Sequence, residues 1–249
     1  MLDEARIAVV VPAHDEEPWL AEVLDTLPDF VDLVVVVDDG SRDGTARVAT
    51  SWGAASGRGR PALTLVRHRG RRGVGAAIVS GYREARRSGI DVVAVMAGDG
   101  QMHPDDLRAV VQPVVDGRAD YVKGNRLDHG LVRSVMPRGR RLGTLVLSHL
   151  TRLVAGVPVR DSQCGYTAIA GATLDQLALE TLWPGFGYPN DLIGALARCR
   201  ARIEEVVVRP VYRGENSALR PWHAATIGYV LVRTAWRRAR AHAEGAASA

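Results

Sequence analysis

Cysteine is scarce, with two in 249 residues. Cys164 and Cys199 stand in no metal-binding spacing and cannot staple a disulfide scaffold, so a reducing, cytoplasmic setting is expected. Aromatics make up only 5%, which leaves Val, Leu, Ile and Ala to fill a core. No apolar run reaches the ~20 residues of a membrane-spanning helix. No basic stretch followed by an apolar one opens the chain, so a secretory signal is not expected. Lysine is nearly missing: of 32 basic residues only Lys123 is one. Arginine in its place reads either as a GC-rich coding sequence or as bidentate phosphate recognition. The net charge of +4 is modest, and no basic run is interleaved with aromatics, so nucleic acid is not an expected partner.

What is present is a chain long enough for one large α/β domain. Apolar runs bounded by turn residues alternate with helical patterns, as in a sheet built from βαβ units. Strands are expected at Ile7–Val11, Leu33–Val37, Ala62–Arg67 and Val92–Met96. The second is almost pure valine, as expected when both faces are buried. Helices are expected after Pro18, over Gly44–Trp52 and from about Gly73 to Ser88. Beyond Gly98 the pattern predicts a helix opening at His103-Pro104-Asp105-Asp106, a strand at Tyr121–Lys123 and a mobile loop over Asp128–Gly139. It then predicts a helix over Leu142–Val154, strands at Gln163–Ala170 and Ile203–Val211, and a helix from Asn190 between them. Gly53–Pro61 reads as a basic loop. Residues 1–100 form a candidate nucleotide-binding half and 101–220 an acceptor half, sharing one sheet; residues 221–249 form a C-terminal amphipathic helix and tail.

Ligands of open α/β sheets bind at the carboxyl ends of strands. Three polar clusters fall there: Pro12-Ala13-His14-Asp15-Glu16, Asp38-Asp39-Gly40-Ser41 and Ala97-Gly98-Asp99-Gly100-Gln101. Successive residues of an extended chain point to opposite sides. Asp38 and Asp39 therefore divide their work, one accepting from a base or ribose and the other ordering the turn. Gly98 and Gly100 leave room for a ligand to approach Asp99. Its carboxylate and the Gln101 amide oxygen are hard donors that suit Mg²⁺ or Mn²⁺, and a metal-bridged diphosphate is a good leaving group.

These clusters resemble the family 2 glycosyltransferases of GT-A fold, in particular the polyprenyl-phosphate sugar synthases that include dolichol-phosphate mannose synthases. The resemblance lies in Val10–Glu17, in Val37-Asp38-Asp39-Gly40-Ser41-Arg42-Asp43-Gly44-Thr45, in Gly73–Ala77, and in Gly98–Gln101 with Pro104. It continues through Lys123–Arg126, Asp161–Tyr166 and Tyr212–Ser217. It implies a Rossmann-like, mixed but mostly parallel sheet flanked by helices in a single domain. The implied reaction is inverting transfer from a nucleotide-diphosphate sugar, such as a GDP- or UDP-sugar, with a divalent metal as cofactor. It places Pro12, Ala13, His14, Glu16, Asp38, Asp39 and Gly75 around the donor nucleotide, and Asp99 and Gln101 at the metal. Ala97 departs from the pattern, standing where a first metal-motif aspartate is usual. His14 stands where tyrosine is common; it either contacts the base or packs. Arg126, with Arg140 or Arg141, is implied at an acceptor phosphate. Asp191 is either a base for an alcohol acceptor or a helix cap; with Asp99 and Arg126 it completes the candidate catalytic set.

The expected acceptor is a polyprenyl phosphate, with a hydroxyl on a small molecule or glycan as the alternative. A non-catalytic nucleotide-sugar binder is the third reading, since Ala97 removes one acid. A dehydrogenase is excluded because Pro12–Glu17 occupies the place of a G-x-G-x-x-G loop. The tail either lies in the plane of a membrane, giving peripheral contact with its cytoplasmic face, or packs on the domain or on a partner subunit of a homodimer.

Overall fold

The computed structural model describes residues 1–55, 60–212 and 221–247, with side chains of the last helix described over 225–240. Residues 56–59 of the expected basic loop, and the Tyr212–Ser217 motif beyond Tyr212, lie outside the described residues.

One seven-stranded sheet runs in the order β3-β2-β1-β4-β6-β5-β7. The strands are β1 (Ile7–Ala13), β2 (Leu33–Asp38), β3 (Ala62–Arg67), β4 (Val92–Val95), β5 (Tyr121–Asn125), β6 (Thr167–Ala170) and β7 (Ile203–Val207). All are parallel except β6, which is antiparallel to both neighbours, β4 and β5. Two reversals cancel, so β5 runs in the same direction as β4. The carboxyl ends of β1 to β5 therefore lie along one rim.

The valine strands are buried on both faces, as their composition requires. Val9, Val11, Val34 and Val36 join one core with α1 (Leu20–Asp25), α2 (Thr45–Ala54) and α4 (Leu107–Val115). Ala8, Val10, Val35 and Val37 join the opposite core with α3 (Val74–Arg87), α7 (Gly171–Asp175) and α8 (Tyr188–Arg198). Period-two alternation in the sequence thus makes three layers, helix on sheet on helix. Pro12 sits in a central strand without penalty. Its ladder side faces β4, whose pairing with β1 ends at Val10↔Val95, so its missing N–H removes no ladder bond.

Two expectations are corrected. Asp128–Gly139 is not one loop: it contains α5 (Val132–Val135), and α6 (Arg138–Ala155) begins inside it. Its arginines, Arg133 and Arg138, are good helix formers, and Pro137 precedes the first turn of α6. The strand expected from Gln163 starts only at Thr167, because Asp161 to Cys164 turns around the Asp161 carboxylate. The final helix, α9 (Pro221–Ala247), packs against α8 and α6. Ile227, Val230, Leu231 and Thr234 are buried there. Among the described residues no helix is long and apolar enough to cross a membrane.

Candidate active site

The loops after β1 and β2 are latched to each other. Asp15, in the left-handed region at φ 58°, accepts from Arg42 N–H at 2.8 Å, and its own N–H donates to Ser41 Oγ at 3.0 Å. Glu16 N–H donates to Thr45 Oγ1 at 2.8 Å, Glu17 N–H to Asp43 at 3.0 Å, and Gly44 N–H to Glu17 at 2.7 Å. Burial pushes the Asp43 carboxyl up, but the Thr45 and Glu17 donors outweigh that and hold it below the usual range. The acidic residues of the two motifs are thus the fastening of a preorganised floor.

Asp38 Oδ1 accepts from Ser41 N–H at 2.9 Å and orders its own turn. Asp39 faces the other way, as alternation requires. Its Oδ1 takes hydrogen bonds from Arg72 N–H (2.8 Å) and His68 Nδ1 (2.7 Å), and its Oδ2 from Gly73 N–H (2.7 Å). The Asp39 carboxylate, almost fully buried, therefore draws the loop after β3 over the end of β2. Gly40 makes this approach possible, since a Cβ there would sit 2.6 Å from the Gly70 carbonyl carbon. His14 Nδ1 donates to the Asp39 carbonyl at 3.0 Å, so the residue both packs on the floor and faces the opening.

Above this floor lies a cleft of about 870 Å³ lined by residues from the ends of β1, β2 and β3. His14, Asp15, Gly40 and Ser41 contribute one wall; Arg42, Arg67, His68, Arg69 and Arg71 make the rest cationic. Such a cleft attracts an anion such as a nucleotide. Sequence reading passed over His68, which bridges Asp39 to Ser80 Oγ at 2.9 Å. The available signal was the run Arg67-His68-Arg69-Gly70-Arg71-Arg72 at a strand's carboxyl end. Gly75 is placed by packing: a Cβ would sit 2.3 Å from the Trp183 carbonyl oxygen, and the residue is not among those lining the cleft.

Asp99 stands at the end of β4, separated from Asp39's strand only by β1, or two spacings of ~4.8 Å. Gly98 N–H donates to the Pro12 carbonyl at 3.2 Å, and Gly98 packs beside Ala13 and Glu16. The β4 turn is thereby joined to the donor floor. Asp99 Oδ1 accepts from Gln101 N–H at 3.0 Å. Ala97 offers only its backbone, whose N–H meets Met102 Sδ. Among the described residues no three His, Cys, Asp or Glu side chains converge on a metal position. The Asp99 and Gln101 oxygens fit Mg²⁺ or Mn²⁺ as part of a shell completed by diphosphate and water.

Arg126 follows β5 on the same rim. Asp161 holds it by two parallel contacts, to Nε at 2.8 Å and Nη2 at 3.0 Å, and also accepts its backbone N–H. Lys123, the lone lysine, is buried beneath and donates to the Cys164 carbonyl at 2.6 Å; burial pushes its pKa down. Burial likewise raises the Cys164 thiol, which leaves little thiolate for a nucleophile. Arg140, at the start of α6, stacks over the Tyr212 ring at 4.6 Å. Burial raises the Tyr212 phenol, an effect opposed by the charges of Arg126 and Arg140. Its buried hydroxyl has no hydrogen-bond partner among the described residues. Arg126, Arg140 and Tyr212 thus form one donor-rich corner; among the described residues no such ring contact involves Arg141. Asp191 is fully buried: its Oδ2 accepts from Trp183 N–H (2.9 Å) and from Arg233 of α9 (3.1 Å), with Arg237 3.8 Å from Oδ1.

The family model described as glycosyl transferase family 2 matches residues 8–169. The chain is 27% identical over 215 residues to the UDP-N-acetylglucosamine–dolichyl-phosphate N-acetylglucosaminyltransferase of Methanococcus voltae, covering 83% of this chain and 86% of that protein. It is 30% identical over 211 residues to the undecaprenyl-phosphate mannosyltransferase of Micrococcus luteus, covering 84% of each. Among solved structures, glucosyl-3-phosphoglycerate synthase from Mycobacterium tuberculosis, in complex with Mn²⁺, UDP and glucosyl-3-phosphoglycerate, superposes with a TM-score of 0.68. That match has 22% identity and covers 93% of this chain and 80% of the other. A match that takes in strands β1 to β5 with all three polar strand ends leaves one assignment: the chain belongs to glycosyl transferase family 2.

Proposed function

We propose that this glycosyltransferase moves a sugar from a nucleotide-diphosphate donor to a polyprenyl phosphate, inverting the anomeric centre in one displacement. The observation that carries the acceptor is the corner where Arg140 stacks on the Tyr212 ring, the charges of Arg126 and Arg140 act on its phenol, and the buried hydroxyl has no hydrogen-bond partner among the described residues. Two guanidinium groups and a buried hydroxyl donor are complementary to a phosphate monoester. The two curated relatives described above carry lipid-phosphate acceptors in their names, and the structural neighbour binds UDP with Mn²⁺.

The roles follow from the rim. The cationic cleft over β1 to β3 takes the nucleoside, with His14 in its wall, Asp38 and Asp39 fixing its floor, and Pro12, Ala13 and Glu16 at the end of β1 outside its lining. Asp99 and Gln101 would hold the divalent cation, which when bound neutralises charge on the departing diphosphate. Arg126 and Arg140 orient the acceptor oxygen toward the anomeric carbon. A phosphate acceptor is already ionised near neutral pH, so no side chain need remove a proton. That agrees with Asp191 being engaged by Trp183 and Arg233.

Arg140→Ala tests the acceptor corner without unpairing Asp161. Initial rates should show the KM for a short-chain prenyl phosphate raised roughly tenfold, one charge-assisted contact being worth ~1.5 kcal/mol. The KM for the nucleotide sugar should stay unchanged. An unchanged acceptor KM would remove Arg140 from the phosphate site.

A further inference from the structure

Helix α6 is amphipathic in the reverse sense. Its inward face is Thr144, Ser148, Thr151 and Ala155, all buried. Its outward face carries Leu142, Leu145, Val146, Leu150 and Leu153, with Leu142 and Leu153 each 64% exposed. The spacing of these residues makes one stripe along the helix. The helix cannot rotate to bury it. Ser148 Oγ accepts from Ser162 N–H at 2.9 Å, and Thr151 Oγ1 donates to Asn190 Oδ1 at 3.0 Å, in a buried network that fixes the inward face. Exposed apolar stripes of this extent mark an interaction surface.

The charge around the stripe selects the partner. From residue 129 to residue 160 there is no acidic side chain, while Arg133, Arg138, Arg140, Arg141 and Arg152 fall within the same stretch. Two copies meeting through this face would bring arginines against arginines, whereas an anionic lipid surface complements both the charge and the apolar ridge. Arg140, which stacks on Tyr212, lies two residues before Leu142, so the stripe begins beside the phosphate corner. We propose that the outer face of α6 docks the enzyme on an anionic bilayer, seating its leucines among the acyl chains and its arginines at the headgroups. The proposal deepens the reading of a lipid-phosphate acceptor and rests on it for the presence of a bilayer. It differs from an in-plane C-terminal helix in the element it names: α9 packs Ile227, Val230, Leu231 and Thr234 inward and ties Arg233 to Asp191, while its own outer face carries the exposed Tyr229, Val232 and Trp236.

The test is flotation of the full chain with vesicles of phosphatidylglycerol and phosphatidylcholine in equal parts, without nucleotide or prenyl phosphate. The wild type should float, and less so at high salt. The double variant Leu142→Glu with Leu153→Glu should partition at least roughly tenfold less. Both side chains are exposed, so its melting curve should match the wild type; Leu145→Ser with Val146→Ser supplies a second, uncharged probe. Equal flotation of wild type and variants, or no wild-type flotation, would overturn the proposal. So would a wild-type dimer in size-exclusion light scattering that the double variant dissociates, because the face would then belong to a second copy. Transfer to a detergent-solubilised short-chain prenyl phosphate, measured on the same proteins, reports separately on the transferase reading.

Discussion

Asp99→Ala should lower kcat/KM for sugar transfer by about 10²- to 10³-fold, the usual scale for removing one group that stabilises charge developing in the transition state. The expectation is large because Ala97 contributes no side chain and Asp99 is the only carboxylate of the turn that follows β4. Where two acids share a cation, loss of one is partly covered by the other; this site has no such cover at position 97. The turn itself should survive, since Gly98 N–H still reaches the Pro12 carbonyl. Thermal unfolding should therefore move little while turnover collapses. Near-normal turnover in Asp99→Ala would remove the β4 turn from the chemistry.

Asp161→Asn should give the largest loss of stability. The wild-type carboxylate is fully buried and accepts three hydrogen bonds from Arg126. The amide keeps the shape but leaves a largely buried guanidinium without its counter-charge, which costs ~3 kcal/mol or more. For a chain of this size that lowers Tm by roughly 10 °C. The pH dependence separates charge from shape. Burial pushes the Asp161 carboxyl up, but Arg126 more than reverses this, so its pKa is depressed in the folded protein. Its contribution is fully present above the unfolded carboxylate value of ~3.9 and is lost as pH falls through the lower, folded value. The wild-type advantage over Asp161→Asn should therefore be constant near neutrality and shrink in acid. Thermal melts across that range check both parts, and a Tm equal to wild type at pH 7 would show that Arg126 needs no partner.

Much of the fold was legible because it rests on local pattern. The valine strand, the strand at Ala62–Arg67 and the helix after Gly73 follow from period, burial and cap chemistry within a few residues. The rim was legible for the same reason, as polar clusters directly after apolar runs. Long-range pairings were not. Asp15 with Arg42, Glu17 with Gly44, and Asp39 with the loop after β3 join segments about thirty residues apart, and nothing in either segment names the other. Asp161 could be quoted as part of a motif, but its partner Arg126 becomes evident only when β5 and the turn before β6 are brought together. Asp191 shows the limit most plainly: a helix-start carboxylate reads equally as cap or base, and only the arrival of Arg233 from α9 shows what it holds. The outward leucines of α6 were invisible too, because helical spacing shows a stripe without showing which side faces the core.

The decisive measurement is the chemical structure of the product. Purified enzyme, an α-linked nucleotide sugar, Mn²⁺ and a short-chain prenyl phosphate should yield a β-linked sugar phosphate on the prenol, identified by mass spectrometry and proton NMR. An α-linked product, sugar attached to a prenol lacking phosphate, or free sugar released at the same rate without acceptor would contradict single displacement by a lipid phosphate.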